Sequence, residues 1–96
     1  MELDFAKHVD GTDKGDILIF TLSTCGWCMK TKTLLNQLGV RYSYVDVDLA
    51  GDDELKECSE VIRAFTKREA YPTIIINRKE CIVGYDPDKL KKLLEN

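Results

Sequence analysis

Apolar residues along this chain come in short bursts, and the spacing within each burst predicts an element. Ile17-Leu18-Ile19-Phe20 is a continuous apolar run, which reads as a strand buried on both faces. From about Gly26 to Leu38 the period lengthens, and Trp27, Thr31, Leu34, Leu35 and Leu38 fall on one stripe of a helix that Gly39 stops. Residues 42–48 are rich in aromatic and β-branched side chains and form a second strand. Gly51-Asp52-Asp53-Glu54 opens a helix to about Thr66, with an acidic first turn and a stripe of Leu55, Cys58, Ile62 and Phe65. Residues 73–76 and 81–83 are two strands joined by the polar Asn77-Arg78-Lys79-Glu80, hence a hairpin. Asp86-Pro87-Asp88 starts a last helix with a capping acid and a proline, and Leu90, Leu93 and Leu94 form its buried side.

The order β-α-β-α-β-β-α predicts an α/β fold. Its first unit is a right-handed parallel crossover and its hairpin adds antiparallel strands. The expected result is a four-stranded mixed sheet with helices on both faces. Residues 1–15 are polar, carry Gly11 and Gly15, and hold one short helical turn around Leu3-Asp4-Phe5-Ala6 at most. They read as an N-terminal extension to a single domain over residues 16–96, since a chain of 96 residues has room for one core.

Charge adds little to the picture. A formal net charge of −3, with both signs interspersed, gives no reason to expect a nucleic acid or an anionic membrane as partner. No apolar run approaches the ~20 residues that span a bilayer, and the start of the chain lacks a basic, apolar leader. The expectation is a soluble cytoplasmic monomer.

The chemistry lies in Cys25-Gly26-Trp27-Cys28, between the first strand and the first helix. Residues three apart share a helix face, and Cα atoms about 5–6 Å apart accept a disulfide without moving the backbone. The first helical turn also presents unpaired N–H groups and the positive dipole end, which favour a thiolate. Cys25 at the exposed helix end is therefore the expected nucleophile, and Cys28, one turn in, the resolving thiol. Zinc fits poorly, because Cys58 and Cys81 form no second close pair and His8 is the single histidine. Cys58 lies on an apolar stripe and reads as a core residue. Cys81 reads as structural, with a redox role open if it is exposed. Ser23 and Thr24 are both placed to cap the helix. Periodicity allows Trp27 either to flank the nucleophile or to pack the helix, and Tyr85 either to line the same groove or to sit on the surface. Lys30 and Lys32 are solvated helix residues or supports for the thiolate, Lys32 reading as the former.

Cys-X-X-Cys after the first strand, Tyr71-Pro72-Thr73 before the third and Gly84-Tyr85-Asp86 after the fourth, in that order, resemble a dithiol glutaredoxin from Asp16 to Leu94. The resemblance implies a thioredoxin-like fold and a thiol–disulfide oxidoreductase with Cys25 and Cys28 as its catalytic pair. It also implies that Pro72 is a cis-proline facing the cysteines. Cis geometry exposes the Tyr71 backbone to an extended thiol peptide, as at a sheet edge. Trp27, Tyr71, Pro72, Gly84 and Asp86 then form the substrate-binding set. The implied reductant is glutathione, another small thiol, or thioredoxin reductase, with no bound cofactor required. Disulfide-containing proteins are the implied partners, ribonucleotide reductase among them.

The chain departs from the family pattern at several positions. Gly26-Trp27 replaces Pro-Tyr, Ala70-Tyr71-Pro72 replaces Thr-Val-Pro, and Val83 replaces the first glycine of Gly-Gly-X-Asp. Leu22 stands where a basic residue usually meets the glutathione carboxylate. Val83-Gly84-Tyr85-Asp86-Pro87 is more similar to the small glutaredoxin-like redoxins. A different implied activity is carriage of a [2Fe–2S] cluster between two subunits, which Gly26 in place of proline is compatible with.

Overall fold

The structure is a computed structural model, and it describes residues 3–95. Its elements are β1 (Lys7–Val9), β2 (Ile17–Thr21), α1 (Gly26–Leu38), β3 (Tyr42–Asp46), a 3₁₀ turn (Val47–Leu49), α2 (Asp52–Phe65), β4 (Thr73–Ile76), β5 (Glu80–Val83) and α3 (Pro87–Leu94). They build one mixed sheet in the order β1-β3-β2-β4-β5. Strands β2 and β3 run parallel, as a crossover through α1 requires, and β4 and β5 add antiparallel.

The sheet has five strands rather than the expected four. Lys7, His8 and Val9 pair antiparallel with Tyr44, Ser43 and Tyr42, covering the outer edge of β3. Sequence pattern misses this strand because it is short, mostly exposed and not apolar. It is held from outside itself. The His8 Nδ1 lies 2.6 Å from the Ser43 hydroxyl, and Leu3 and Ala6 before it are buried in the core. A hydrogen-bonded turn precedes the strand, the Ala6 N–H donating to the Leu3 carbonyl at 3.0 Å.

The apolar runs are continuous because each central strand is covered on both sides. Ile17, Ile19, Ile74 and Ile76 point to one face and pack with Leu34 and Leu35 of α1 and Leu90 and Leu94 of α3. Leu18, Phe20 and Ile75 point to the other, where Cys58 and Ile62 of α2 meet them. Two stripes differ from expectation. On α1 the inner face is Cys28, Thr31, Leu34 and Leu35, while Trp27 is 57 % exposed. On α2, Leu55 is 41 % exposed, and the buried residues are Cys58 and Ile62. The second strand also ends early, because the chain turns at Val47 to bury that side chain and carry Asp48 outward. No helix among the described residues is long and apolar enough to cross a membrane.

Candidate active site

The Cys25-Gly26-Trp27-Cys28 turn sits where β2 hands over to α1. Cys25 is the N-cap of α1 in an extended conformation, and its Sγ accepts a hydrogen bond from the Cys28 N–H at 3.2 Å. The cap is therefore the cysteine itself. The Ser23 side chain, one of two expected caps, is bound to Asp48 instead. A sulfur at this position takes up one of the orphan donors of the first turn. Upstream, the Cys25 N–H donates to the Leu22 carbonyl at 3.2 Å and closes the turn.

The two thiols have different surroundings. Cys25 is partly exposed, whereas Cys28 is fully buried. Burial pushes the Cys28 thiol up to about 12, with Cys25 adding to the rise and the Leu22 backbone and Lys32 opposing it. Cys58 is likewise buried, and its thiol is pushed up to about 11 by burial and by Glu54 and Glu57. Cys81 is partly buried against the same cluster as Cys58, and burial raises its thiol too. Both sit on the α2 side of the sheet as packing residues.

The Tyr71–Pro72 peptide bond is cis, and Pro72 is fully buried. The Pro72 carbonyl accepts the Gly84 N–H at 2.7 Å, which ties the segment before β4 to the residue after β5. Tyr71 packs against the α2-side core, and its phenol is pushed up by burial, by Glu69, and then by Cys58 and Cys28. Trp27, Tyr71, Gly84 and Tyr85 together line a shallow depression of about 200 Å³. The Trp27 and Tyr85 rings stack at 5.7 Å with planes 26° apart, and the Lys30 ammonium lies 4.7 Å from the Trp27 centroid. Gly84 has φ +90, a left-handed conformation that favours glycine.

Trp27, Tyr71 and Gly84 thus share one depression. Pro72 does not line it: it is fully buried, and it joins two of the lining residues through its bond to Tyr71 and its hydrogen bond with Gly84. The Asp86 carboxylate caps α3, accepting the Lys89 N–H at 3.1 Å. Tyr85 belongs to the depression and Lys30 to its aromatic edge. Lys32 is not a solvated residue. Its ammonium lies 3.3 Å from Asp46 and 4.0 Å from the Tyr44 ring centroid, with the side chain 23 % exposed. A roomier cleft, about 710 Å³, lies at the start of β2 among His8, Asp10, Asp13, Arg41 and Arg78, and neither Cys25 nor Cys28 lines it.

A crossover sheet with a Cys-X-X-Cys pair capping its first helix and a cis-proline before its hairpin defines a thioredoxin-like redox protein. Comparison with known proteins narrows the class. The glutaredoxin family model matches residues 17–81, and the chain belongs to the glutaredoxin family of thiol–disulfide oxidoreductases. It is 37 % identical over 79 residues to a glutaredoxin-like 8.6 kDa protein in the rubredoxin operon of Clostridium pasteurianum, covering 82 % of this chain and 97 % of that protein. The Methanosarcina mazei glutaredoxin structure superposes with a TM-score of 0.85 at 42 % identity, over 99 % of this chain and 92 % of that one. The Methanosarcina acetivorans methanoredoxin structure gives 0.90 at 39 % identity, over 99 % and 100 %.

Proposed function

We propose that the protein reduces disulfides by a dithiol mechanism with Cys25 as nucleophile and Cys28 as resolving thiol. The Cys25 thiolate attacks one sulfur of the target disulfide, the target S–S bond breaks, and the first target thiolate leaves. The Cys28 sulfur then attacks Cys25 Sγ of the mixed disulfide. A Cys25–Cys28 bond forms, the second target thiolate leaves, and the Cys28 proton goes to solvent or to the leaving sulfur. The target gains two electrons and the protein loses two. The observation that carries this reading is the asymmetry of the pair. A partly exposed sulfur accepts the Cys28 N–H at 3.2 Å, and the second sulfur, three residues on, is fully buried.

The substrate side follows from the same surface. Trp27, Tyr71 and Gly84 form the bed for the residues flanking the target cysteine, Pro72 fixes the Tyr71 backbone for pairing with them, and Asp86 orders the start of α3 beside it. Disulfide-bearing proteins, ribonucleotide reductase among them, are the substrates in this reading. A small thiol such as glutathione, or thioredoxin reductase, restores the dithiol. Leu22, apolar and packed against the core, offers no charge to a glutathione carboxylate and favours a different thiol or the reductase.

The test follows the fluorescence of Trp27, the only tryptophan, in the oxidised protein while thiols are counted. One sample receives glutathione, and another receives thioredoxin reductase with NADPH. Reduction by either supports the reading and identifies the donor. A Cys25→Ser variant that reduces protein disulfides at the wild-type rate refutes it. The second reading, a shared [2Fe–2S] cluster, rests on the resemblance, in which Gly26 stands in place of the motif's proline. Such a cluster takes four thiolates. With Cys28 buried, each of two chains would supply Cys25 and two small thiols the remaining ligands. Protein that stays colourless after anaerobic reconstitution with iron, sulfide and thiol removes that reading.

A further inference from the structure

The backbone pairing of β2 with β3 ends at Thr21↔Asp46. Beyond it the chain still has to deliver Cys25 to the start of α1, and side chains continue the ladder at the same sequence offset. The Thr21 hydroxyl donates to Asp46 Oδ1 at 2.5 Å. Two residues further on, the Ser23 N–H donates to Asp48 Oδ1 at 2.9 Å, and the Ser23 hydroxyl makes a short bond to Asp48 Oδ2. Hydroxyl donors to ionised carboxylates are among the shorter and stronger hydrogen bonds. The 3₁₀ turn Val47–Leu49 makes this reach possible, since it buries Val47 and turns Asp48 toward the loop. Leu22 packs inward against the core while Ser23 is tied outward, so the turn ending in the Leu22–Cys25 hydrogen bond is held from both sides.

We propose that Asp48 is a positioning residue of the redox reaction: by gripping Ser23 through both carboxylate oxygens it fixes the turn that presents Cys25 to Cys28. This rests on the dithiol reading above. Asp48 and Ser23 are both exposed, so their loss leaves no buried polar group unpaired and the fold does not depend on them. The intramolecular step does, because closing a disulfide demands a set distance and direction between two sulfurs, and small misplacements are costly in rate.

A chromogenic aromatic disulfide separates the two steps in a chain carrying Cys81→Ser, which removes the partly buried third thiol. Attack by Cys25 releases one coloured thiolate in a bimolecular phase. Attack by Cys28 on the mixed disulfide releases the second in a phase independent of reagent concentration. In Asp48→Ala the second rate falls about tenfold relative to the first. Asp48→Asn restores most of it, because its Oδ1 still accepts the Ser23 N–H and its amide donates to the Ser23 hydroxyl. Ser23→Ala keeps the N–H contact alone and lies between the two. An unchanged second phase in Asp48→Ala overturns the proposal. So does an equal slowing of both phases that Asp48→Asn does not relieve, which marks a merely structural residue. A parent chain that releases only one thiolate refutes the dithiol reading itself, and the proposal falls with it.

Discussion

Replacing Cys25 by Ser isolates the buried thiol and makes its environment measurable. In the intact site the Cys28 thiol is raised from an ordinary 9.0 to about 12, with burial as the largest cause. At pH 8 that rise lowers its thiolate fraction from about one in ten to about one in ten thousand, roughly a thousandfold loss of the reactive form. The serine removes the Cys25 contributions but leaves burial in place. Cys28 in Cys25→Ser is therefore expected to react with iodoacetamide at pH 8 at least about tenfold more slowly than a free cysteine. Its rate should climb about tenfold per pH unit well past 9. Mass spectrometry of the alkylated peptide against pH gives the profile. A rate that levels off near pH 9 refutes the reasoning. The sign of the stability effect follows. A thiol whose pKa is raised by folding contributes stability below its unfolded value, and that contribution is lost as pH rises from about 9 toward 12. The urea midpoint of the reduced wild-type protein should fall on the alkaline side, and Cys28→Ala should fall less steeply there. In the proposed dithiol cycle the consequence is order: two of the causes that raise the Cys28 thiol come from Cys25, and both disappear when Cys25 enters a mixed disulfide.

Lys32→Met leaves the partly buried Asp46 with Thr21 as its remaining partner. It should lower stability by about 1–3 kcal/mol and slow the resolving step, since Lys32 also favours the Cys28 thiolate. An unchanged urea midpoint would show that the ion pair contributes nothing. Tyr85→Ala removes the ring stacked on Trp27. It should shift the emission of the only tryptophan and raise KM for a peptide disulfide more than it lowers kcat, stacked pairs being worth about 0.5–1.5 kcal/mol. An identical spectrum and KM would place that contact outside the binding surface. Leu35→Ala empties a fully buried position between α1 and the sheet and should cost about 2–5 kcal/mol in chemical denaturation. A loss below 1 kcal/mol would contradict the packing described.

The Cys25/Cys28 pair was legible in the chain because its geometry is local. A cysteine at the N-cap of a strand-to-helix boundary meets the same orphan N–H groups in any fold that keeps the boundary. The central strands were legible for a similar reason: Ile17-Leu18-Ile19-Phe20 has to bury both faces, so the layer on each side follows. Strand β1 was not, because Lys7-His8-Val9 has no apolar pattern of its own and is ordered by the edge of β3. The Trp27 position shows the limit of periodicity, since a helical stripe can be drawn through residue 27 or 28. Only the sheet above α1 determines that Cys28 goes inside and Trp27 lies out against Tyr85.

The side-chain ties between β2 and β3 were hidden for a further reason. Thr21 and Ser23 lie 25 positions from Asp46 and Asp48. Read singly, each is an ordinary polar residue at the end of a strand. The shared offset carries meaning only once β2 and β3 are known to run parallel in this register, because a one-residue slip would point Asp46 and Asp48 elsewhere. Sequence by itself determined which two sulfurs lie one helical turn apart at the start of α1, since local helix geometry is enough to bring them together. Tertiary structure decided how different the two thiols are and what holds them, since burial, the stacked aromatic edge and the aspartate ties depend on strands brought together from distant parts of the chain.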